Sequence, residues 1–318
     1  MEFQITKQLI EQAHERIRPF IHRAPVLTSK YLDTISGANL FFKCENFQRI
    51  GAFKIRGAMN AVLTLPGDMI SKGVATHSSG NHAQALAYAA RHVGAEAFIV
   101  MPDNSPKVKV DAVRGYGANI TFCEPNQAAR EATLERVIDE TGAAFIHPYN
   151  DYAVMTGQAS ATKELIEDVE GLDVLVSPVG GGGLLCGTLL TAKYFSPSTV
   201  VYAAEPAGAA DAALSIKSGK IEAAPFIDTI ADGLRTKLGD KTFPIISQLV
   251  KEILTVSDES IIASMRLVYE RMKIVIEPSA AVTLAVVLHY PEVFRNKKVG
   301  VIFSGGNVDL SLLGKWFG

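Results

Sequence analysis

Apolar positions recur along this chain with two periods. Ile55, Ala58, Met59 and Val62 fall at i, i+3, i+4 and i+7, one face of a helix that Pro66-Gly67 ends. From Gly73 short apolar runs alternate with helical stretches. Val74–His77 reads as a strand, Asn81–His92 as a helix with Ala83, Leu86, Ala87 and Ala90 on one face, and Ala97–Met101 as a second strand. Ser105-Pro106 supplies an N-cap and a first-turn proline for the next helix. Asn119–Cys123 is a third strand, Gln127–Glu140 a helix and Ala144–His147 a fourth strand. A βαβαβαβ run of this kind implies a small parallel sheet covered by helices.

A second alternation follows. Val174–Pro178, Val200–Ala204, Glu252–Val256 and Val299–Ser304 are strands rich in β-branched residues, with helical patterns between them. Their near-continuous apolar character predicts burial on both faces. The first 70 residues hold an amphipathic helix, a strand at Leu40–Lys43 and the helix after Lys54, too little for an independent domain. The expected organisation is therefore α/β: two open, mostly parallel twisted sheets with helices on both faces. Residues 1–72 plus 143–318 form the larger unit and 73–142 a smaller inserted one. Ligands of open α/β sheets bind beyond the carboxyl ends of the strands, so two such sheets side by side place a site between them.

Composition narrows the function. Of 318 residues 48% are hydrophobic and 20% charged, and 31 basic residues against 33 acidic ones leave a net charge of −2, without a basic cluster for nucleic acid. No apolar run reaches the roughly 18 residues of a membrane span. The N-terminus, from Met1 and Glu2 to Lys7, is too polar for a signal or transit peptide. Cys44, Cys123 and Cys186 have no metal spacing and read as reduced, mostly buried thiols of a cytoplasmic protein.

Four segments carry candidate chemistry. Lys54, in Phe53-Lys54-Ile55-Arg56-Gly57-Ala58, stands at a helix N-terminus, where the macrodipole disfavours a cation and favours the neutral, nucleophilic amine. Ser177-Pro178-Val179-Gly180-Gly181-Gly182-Gly183-Leu184 joins a buried strand to a helix. Its glycines let the backbone approach an anion and aim N–H groups at it, although by itself the run is equally a tight turn. Ser78-Ser79-Gly80-Asn81-His82 opens a helix after a strand and suits a carboxylate, or else is ordinary capping by Ser79; His77 and His82 receive no catalytic role. Ser304-Gly305-Gly306-Asn307 closes the last strand. An amine nucleophile, a phosphate cradle and a carboxylate cradle together are what pyridoxal phosphate and an amino acid require.

In these four segments the chain resembles the fold-type II pyridoxal-phosphate enzymes, whose fold is tryptophan synthase β-like. Within them it is similar to the serine racemase and serine/threonine dehydratase (ammonia-lyase) branch, from about Glu11 to Leu310. The resemblance implies that Lys54 is the Schiff-base lysine and catalytic base, and that Phe53 packs on the cofactor ring. Asn81 would bond the ring hydroxyl, Gly180, Gly181, Gly182, Gly183 and Leu184 the phosphate, and Ser304 the pyridine nitrogen. Gly233 would lie at the opposite ring face. Ser79 is implied as the acid–base group on the face opposite Lys54, with Ser78, Gly80, Asn81, His82 and Arg130 binding substrate. The implied activity is dehydration of L-serine or L-threonine to a 2-oxo acid and ammonia, with serine racemisation beside it, by a homodimer. A threo-3-hydroxyaspartate dehydratase is the alternative, to which Arg130 is suited; a non-catalytic amino-acid-binding protein on this scaffold is the other.

Glu205 and Asp211, six positions apart, read on spacing alone as a solvated acidic loop. The resemblance instead implies a divalent cation, Mg²⁺, Ca²⁺ or Mn²⁺, held by Glu205, the Ala209 carbonyl and Asp211. Two departures bear on activity. Tyr149, in His147-Pro148-Tyr149-Asn150, replaces the asparagine of mammalian serine racemases and favours dehydration. Ser29-Lys30-Tyr31 and Arg49-Ile50 match the nucleotide-contact segments only in part, which argues against ATP activation.

Overall fold

The computed structural model describes residues 3–105 and 107–318; Met1, Glu2 and Pro106, the last of these from the expected Ser105-Pro106 cap, lie outside the described residues. Its strands are β1 (Val26–Leu27), β2 (Asn39–Cys44), β3 (Val74–His77), β4 (Ala97–Pro102), β5 (Asn119–Cys123), β6 (Ala144–Phe145), β7 (Val174–Pro178), β8 (Val200–Pro206), β9 (Glu252–Val256) and β10 (Lys298–Phe303). They form a six-stranded sheet in the order β1-β2-β10-β7-β8-β9 and a four-stranded sheet in the order β5-β4-β3-β6. Every pairing is parallel except β1 on β2. The α/β architecture read from the sequence is the one observed.

The large sheet is apolar on both faces because both are covered. Val174, Val176, Val299, Val301 and Phe303 enter a core with Val282, Leu284 and Ala285 of the helix Pro278–His289. The alternate positions Leu175, Val201, Ala203 and Ile302 pack on Met155 and Leu165 of the helix Tyr152–Asp168 and on Leu185 and Leu189 of the helix Gly183–Phe195. Period-two alternation thus sends neighbouring residues into two cores. At Gly300 a side chain would stand 2.7 Å from Leu175 and 2.9 Å from Leu165, so this core closes on bare backbone.

The helix Lys54–Leu63 is wedged between the two layers. Its predicted apolar face, Ile55, Ala58, Met59 and Val62, meets the predicted face Ala83, Leu86, Ala87 and Ala90 of the helix Asn81–Val93, together with Val74, Ile99 and Met101 of the small sheet. Its other side crosses the helix Tyr152–Asp168 glycine to glycine. A side chain at Gly157 would lie 2.7 Å from Gly57 Cα, and one at Gly57 would lie 2.7 Å from the Val154 carbonyl oxygen. Glycine inside a helix costs about 1 kcal/mol against alanine; here it permits the crossing. The Gly57 N–H, in the first turn and without an intrahelical acceptor, donates to Gln158 Oε1 at 3.2 Å.

Two local expectations change. The strand expected over Ala144–His147 ends at Phe145, because His147 Nδ1 accepts the N–H groups of Tyr149 (3.3 Å) and Asn150 (2.9 Å) and turns the chain. β1, two residues long, is too short to show an alternation and was not anticipated. Among the described residues no helix is long and apolar enough to cross a membrane.

Gly57→Ala should force this helix crossing apart. The expected loss is about 1–3 kcal/mol, read as a lower denaturant midpoint at unchanged slope. Undiminished stability would show that the crossing tolerates a methyl group.

Candidate active site

Lys54 is the first residue of its helix, and Phe53 before it makes no side-chain cap. The half-buried lysine donates from Nζ to the Pro148 carbonyl at 2.8 Å, and the amine stands 5.2 Å from the centre of the Phe53 ring. Burial lowers its pKa to about 8, against the opposing pull of the Glu277 carboxylate. At neutral pH a usable fraction of the amine is therefore unprotonated, as a carbonyl-attacking group requires.

The first turn is fixed from behind. Arg56, with no exposed surface, donates from Nε and Nη2 to Glu45 (2.7 and 2.9 Å) and from Nη1 and Nη2 to Glu164 (2.9 and 2.7 Å). A further Nη1 bond reaches Ser160 Oγ at 3.0 Å. Lys43 Nζ completes the group, 2.8 Å from Glu164 and 2.6 Å from the Ala24 carbonyl. Two buried cations thus face two buried anions. Burial alone would raise the Glu164 pKa, but Arg56 and Lys43 more than offset this and hold it at about 2.

On the other side of Lys54 lies a polar chain. Asn81 Nδ2 donates to both oxygens of Glu277 (2.9 and 3.2 Å), and Asn307 Nδ2 donates to Asn81 Oδ1 and to the Ile50 carbonyl, each at 2.8 Å. The Asn307 N–H also donates to Glu277 at 3.2 Å. Burial raises the Glu277 pKa to about 7, the Asp232 charge adding to the effect. Ile50 has φ 60°, a left-handed conformation that is strained for a β-branched residue. Its carbonyl is held in that direction by Asn307. Ser304 is buried, and its carbonyl accepts the Phe53 N–H at 3.0 Å.

The glycine run leaves β7 and enters its helix at Gly182, whose φ of 93° only glycine adopts readily. A side chain at Gly180 would stand 3.0 Å from Leu234 Cα and 3.2 Å from the Gly233 carbonyl oxygen, so Gly233 lies directly against the loop. The Gly233 N–H donates to Ser279 Oγ at 3.0 Å. Thr242 Oγ1 holds the Gly181 carbonyl at 2.9 Å. The first N–H groups of this 13-residue helix have no intrahelical acceptor and form a positive terminus, an arrangement that fits a phosphate.

At the start of the helix Asn81–Val93 the N-cap is Gly80, not Ser79, and no side chain caps it. The Gly80 N–H donates to Ser78 Oγ at 3.3 Å, and Ser78 N–H to the Val100 carbonyl at 3.1 Å. Buried His82 bonds the Ile146 carbonyl through Nε2 at 3.1 Å, and its Nδ1 has no partner. Burial and then the Lys54 charge lower its pKa to about 3, which keeps it neutral. Arg130, on the helix Gln127–Thr141, carries a buried Nε without a partner, and its charge reinforces the burial that lowers the His77 pKa.

The acidic loop is buried, not solvated: Glu205 is 1% exposed, Asp211 3% and Ala209 0%. The Glu205 carboxylate accepts the N–H groups of Ala212 (2.7 Å) and Ala213 (2.9 Å) at the start of the helix Asp211–Ser218. Burial raises Glu205 to about 8 and Asp211 to about 6, and Asp211 Oδ2 has no partner. Among the described residues no group of three or more His, Cys, Asp or Glu side chains is placed to hold a metal ion. Sequence reasoning missed Glu277 and Arg56 with its partners. The signal for Glu277 was faint: an acid directly before Pro278, the N-cap position of a helix.

Residues 17–305 match the family model described as pyridoxal-phosphate dependent enzyme. The chain is 52% identical to the β-hydroxyaspartate dehydratase of Paracoccus denitrificans (strain Pd 1222), over 95% of this chain and 96% of that one. It is 49% identical to the serine racemase of Arabidopsis thaliana, over 96% and 93%. The structure of maize serine racemase superposes with a TM-score of 0.96 at 44% identity, covering 99% of this chain and 97% of that one.

The electrostatic link between Glu277 and Lys54 is open to direct measurement. Glu277→Gln keeps the shape of the side chain and removes the charge that raises the lysine. The pH midpoint of Lys54 reaction with an aldehyde reagent should fall below that of the native protein. A midpoint that rises or stays put would separate the two groups.

Proposed function

The chain belongs to the pyridoxal-phosphate-dependent enzymes, and from that membership we propose that it dehydrates L-serine and L-threonine to 2-oxo acid and ammonia, with serine racemisation as a second outcome. The observation that carries this is Lys54, whose burial-lowered amine is neutral often enough near pH 8 to take a proton from an amino-acid Cα. Phe53, Asn81, Gly180, Gly181, Gly182, Gly183, Leu184, Gly233 and Ser304 would hold the cofactor. Bound pyridoxal phosphate supplies an electron sink for the charge left on Cα. Lys54 would hold and return the proton on one face, and Ser79, whose side chain is not taken up by helix capping, would serve the other. Ser78, Gly80, Asn81 and His82 would receive the substrate carboxylate at the uncapped helix end. The expected smaller unit, 73–142, would stand beside a site carried mostly by residues 1–72 and 143–318, although its sheet takes in β6, Ala144–Phe145, beyond that bound.

A second reading has its own observation. Arg130 presents a buried guanidinium nitrogen without a partner, suited to the second carboxylate of 3-hydroxyaspartate. The dehydratase similarity supports it. Glu205, the Ala209 carbonyl and Asp211 would bind a divalent cation. All are oxygen donors, and the orphaned Asp211 oxygen in a buried acidic pair suits a hard cation. Three buried free thiols support a cytoplasmic setting, and the exposed apolar side chains of Tyr31, Ile35 and Phe47 support a homodimer.

Pyruvate and D-serine formed from L-serine, followed in the native enzyme and two variants, test the roles. Lys54→Ala should lose both products by roughly a hundred- to ten-thousand-fold. Ser79→Ala should suppress D-serine far more than pyruvate. Racemisation undiminished in Ser79→Ala would remove Ser79 as the second acid–base group, and 3-hydroxyaspartate consumed much faster than serine would favour the second reading.

Chelation tests the cation. A ligand held at a hundred times its Kd adds about 2.7 kcal/mol to stability, so a chelator should lower the melting temperature of the native enzyme. Neutralising both Glu205 and Asp211 should abolish the difference. A melting temperature indifferent to chelator would leave the pair without a metal role.

A further inference from the structure

The turn His147–Asn150 touches both halves of the site. The Pro148 carbonyl holds Lys54 Nζ at 2.8 Å. One residue on, the Tyr149 ring lies against the glycine run. A side chain at Gly181 would run into Cγ, Cδ1 and Cδ2 of the ring, and one at Gly183 would stand 3.0 Å from Tyr149 Cα and Cβ. The turn is stiff. His147 Nδ1 accepts two of its N–H groups, and the His147 ring packs edge-on to Tyr149 at 4.6 Å between centres. Burial lowers the His147 pKa to about 4, so it remains a neutral acceptor wherever the amine works. From the far side, Asn150 accepts the Lys241 N–H at 3.0 Å and donates to Asp240 at 2.6 Å. That fixes the turn whose Thr242 hydroxyl bonds the Gly181 carbonyl.

We propose that Tyr149 is a positioning residue that sets the spacing between the Lys54 amine and the glycine loop, its ring acting as a spacer seated on Gly181 and Gly183. This rests on the reading that Gly180–Leu184 anchor the cofactor phosphate. A molecule anchored by its phosphate at the loop and reached by Lys54 at its aldehyde carbon would need those two points at one separation. Four residues of turn carry both: a carbonyl on the amine, and a ring on the loop. Removing the ring frees the loop to relax into the vacated space, and displacements of about 1 Å at a reacting centre lower rates by about a hundredfold.

The test follows cofactor release from the holoenzyme on dilution, kcat and KM for L-serine, and the unfolding midpoint. Tyr149→Phe keeps the ring and should release cofactor within about twofold of the native rate, whereas Tyr149→Ala should release it at least about tenfold faster, with lower kcat and KM for L-serine within about twofold. Gly181→Ala should also release faster, because its methyl group meets the ring. In the Tyr149→Ala background the same substitution should add little. Native release from folded Tyr149→Ala, with fast release from Gly181→Ala, overturns the spacer and leaves the phosphate reading standing. Native release from both removes the loop as cofactor anchor, and the spacer with it. A loss in Tyr149→Phe equal to that in Tyr149→Ala also overturns it, since the ring would then be irrelevant. If the alanine variant does not fold, Tyr149→Leu carries the same comparison.

Discussion

Four charges sealed from water fix the part of the molecule on which the site depends. Arg56 and Lys43 are matched against Glu45 and Glu164, all 2% exposed or less. Taking each ion out of water costs several kcal/mol, which is offset only when every contact is made, and removing one partner of such a group typically costs 3–5 kcal/mol. Because Arg56 follows Lys54 by two residues on the same helical turn, its fork sets how far that turn is advanced and how it is rotated. The helix has no side-chain N-cap, and the charge group supplies the anchorage that a cap would give.

In front of that anchor the surroundings favour uncharged forms. Burial lowers Lys54 to about 8, His82 to about 3 and His147 to about 4, and raises Glu277 to about 7. Each shift runs toward the neutral species, whether the group is an acid or a base. The sealed ion group stands behind the helix and these neutralised groups in front. Among these groups Glu277 opposes the lowering of the Lys54 pKa.

The elements were legible where one physical cause dominated. Strands buried on both faces leave unbroken apolar runs, and β7 and β10 are such runs. The helix faces of residues 55–62 and 83–90 were readable as stripes, although nothing in either stripe said that they pack on each other. What was not legible depends on partners far along the chain. Glu277 is an ordinary helix-start acid until Asn81, 196 positions away, donates to it. Lys43 ends an apolar strand and Arg56 interrupts an apolar helix, yet their acids cannot be picked out of 33. The acidic loop shows the same limit: its spacing is that of a solvated loop, yet the fold buries it and seats the Glu205 carboxylate on the N–H groups of Ala212 and Ala213.

The charge group also ties the lysine's turn to distant stretches of chain. Glu45 stands 11 positions from Arg56 and Glu164 stands 108 away, so the second acid reaches the arginine only once the helix Tyr152–Asp168 has packed across the helix Lys54–Leu63. Closing so long a loop is slow. Until it closes, hydrated ions are more stable than a partly dried set, and the helix has no reason to settle in its final register. A chain in which that crossing is not made would lack the fixed ions behind Lys54, and with them the orientation of its amine.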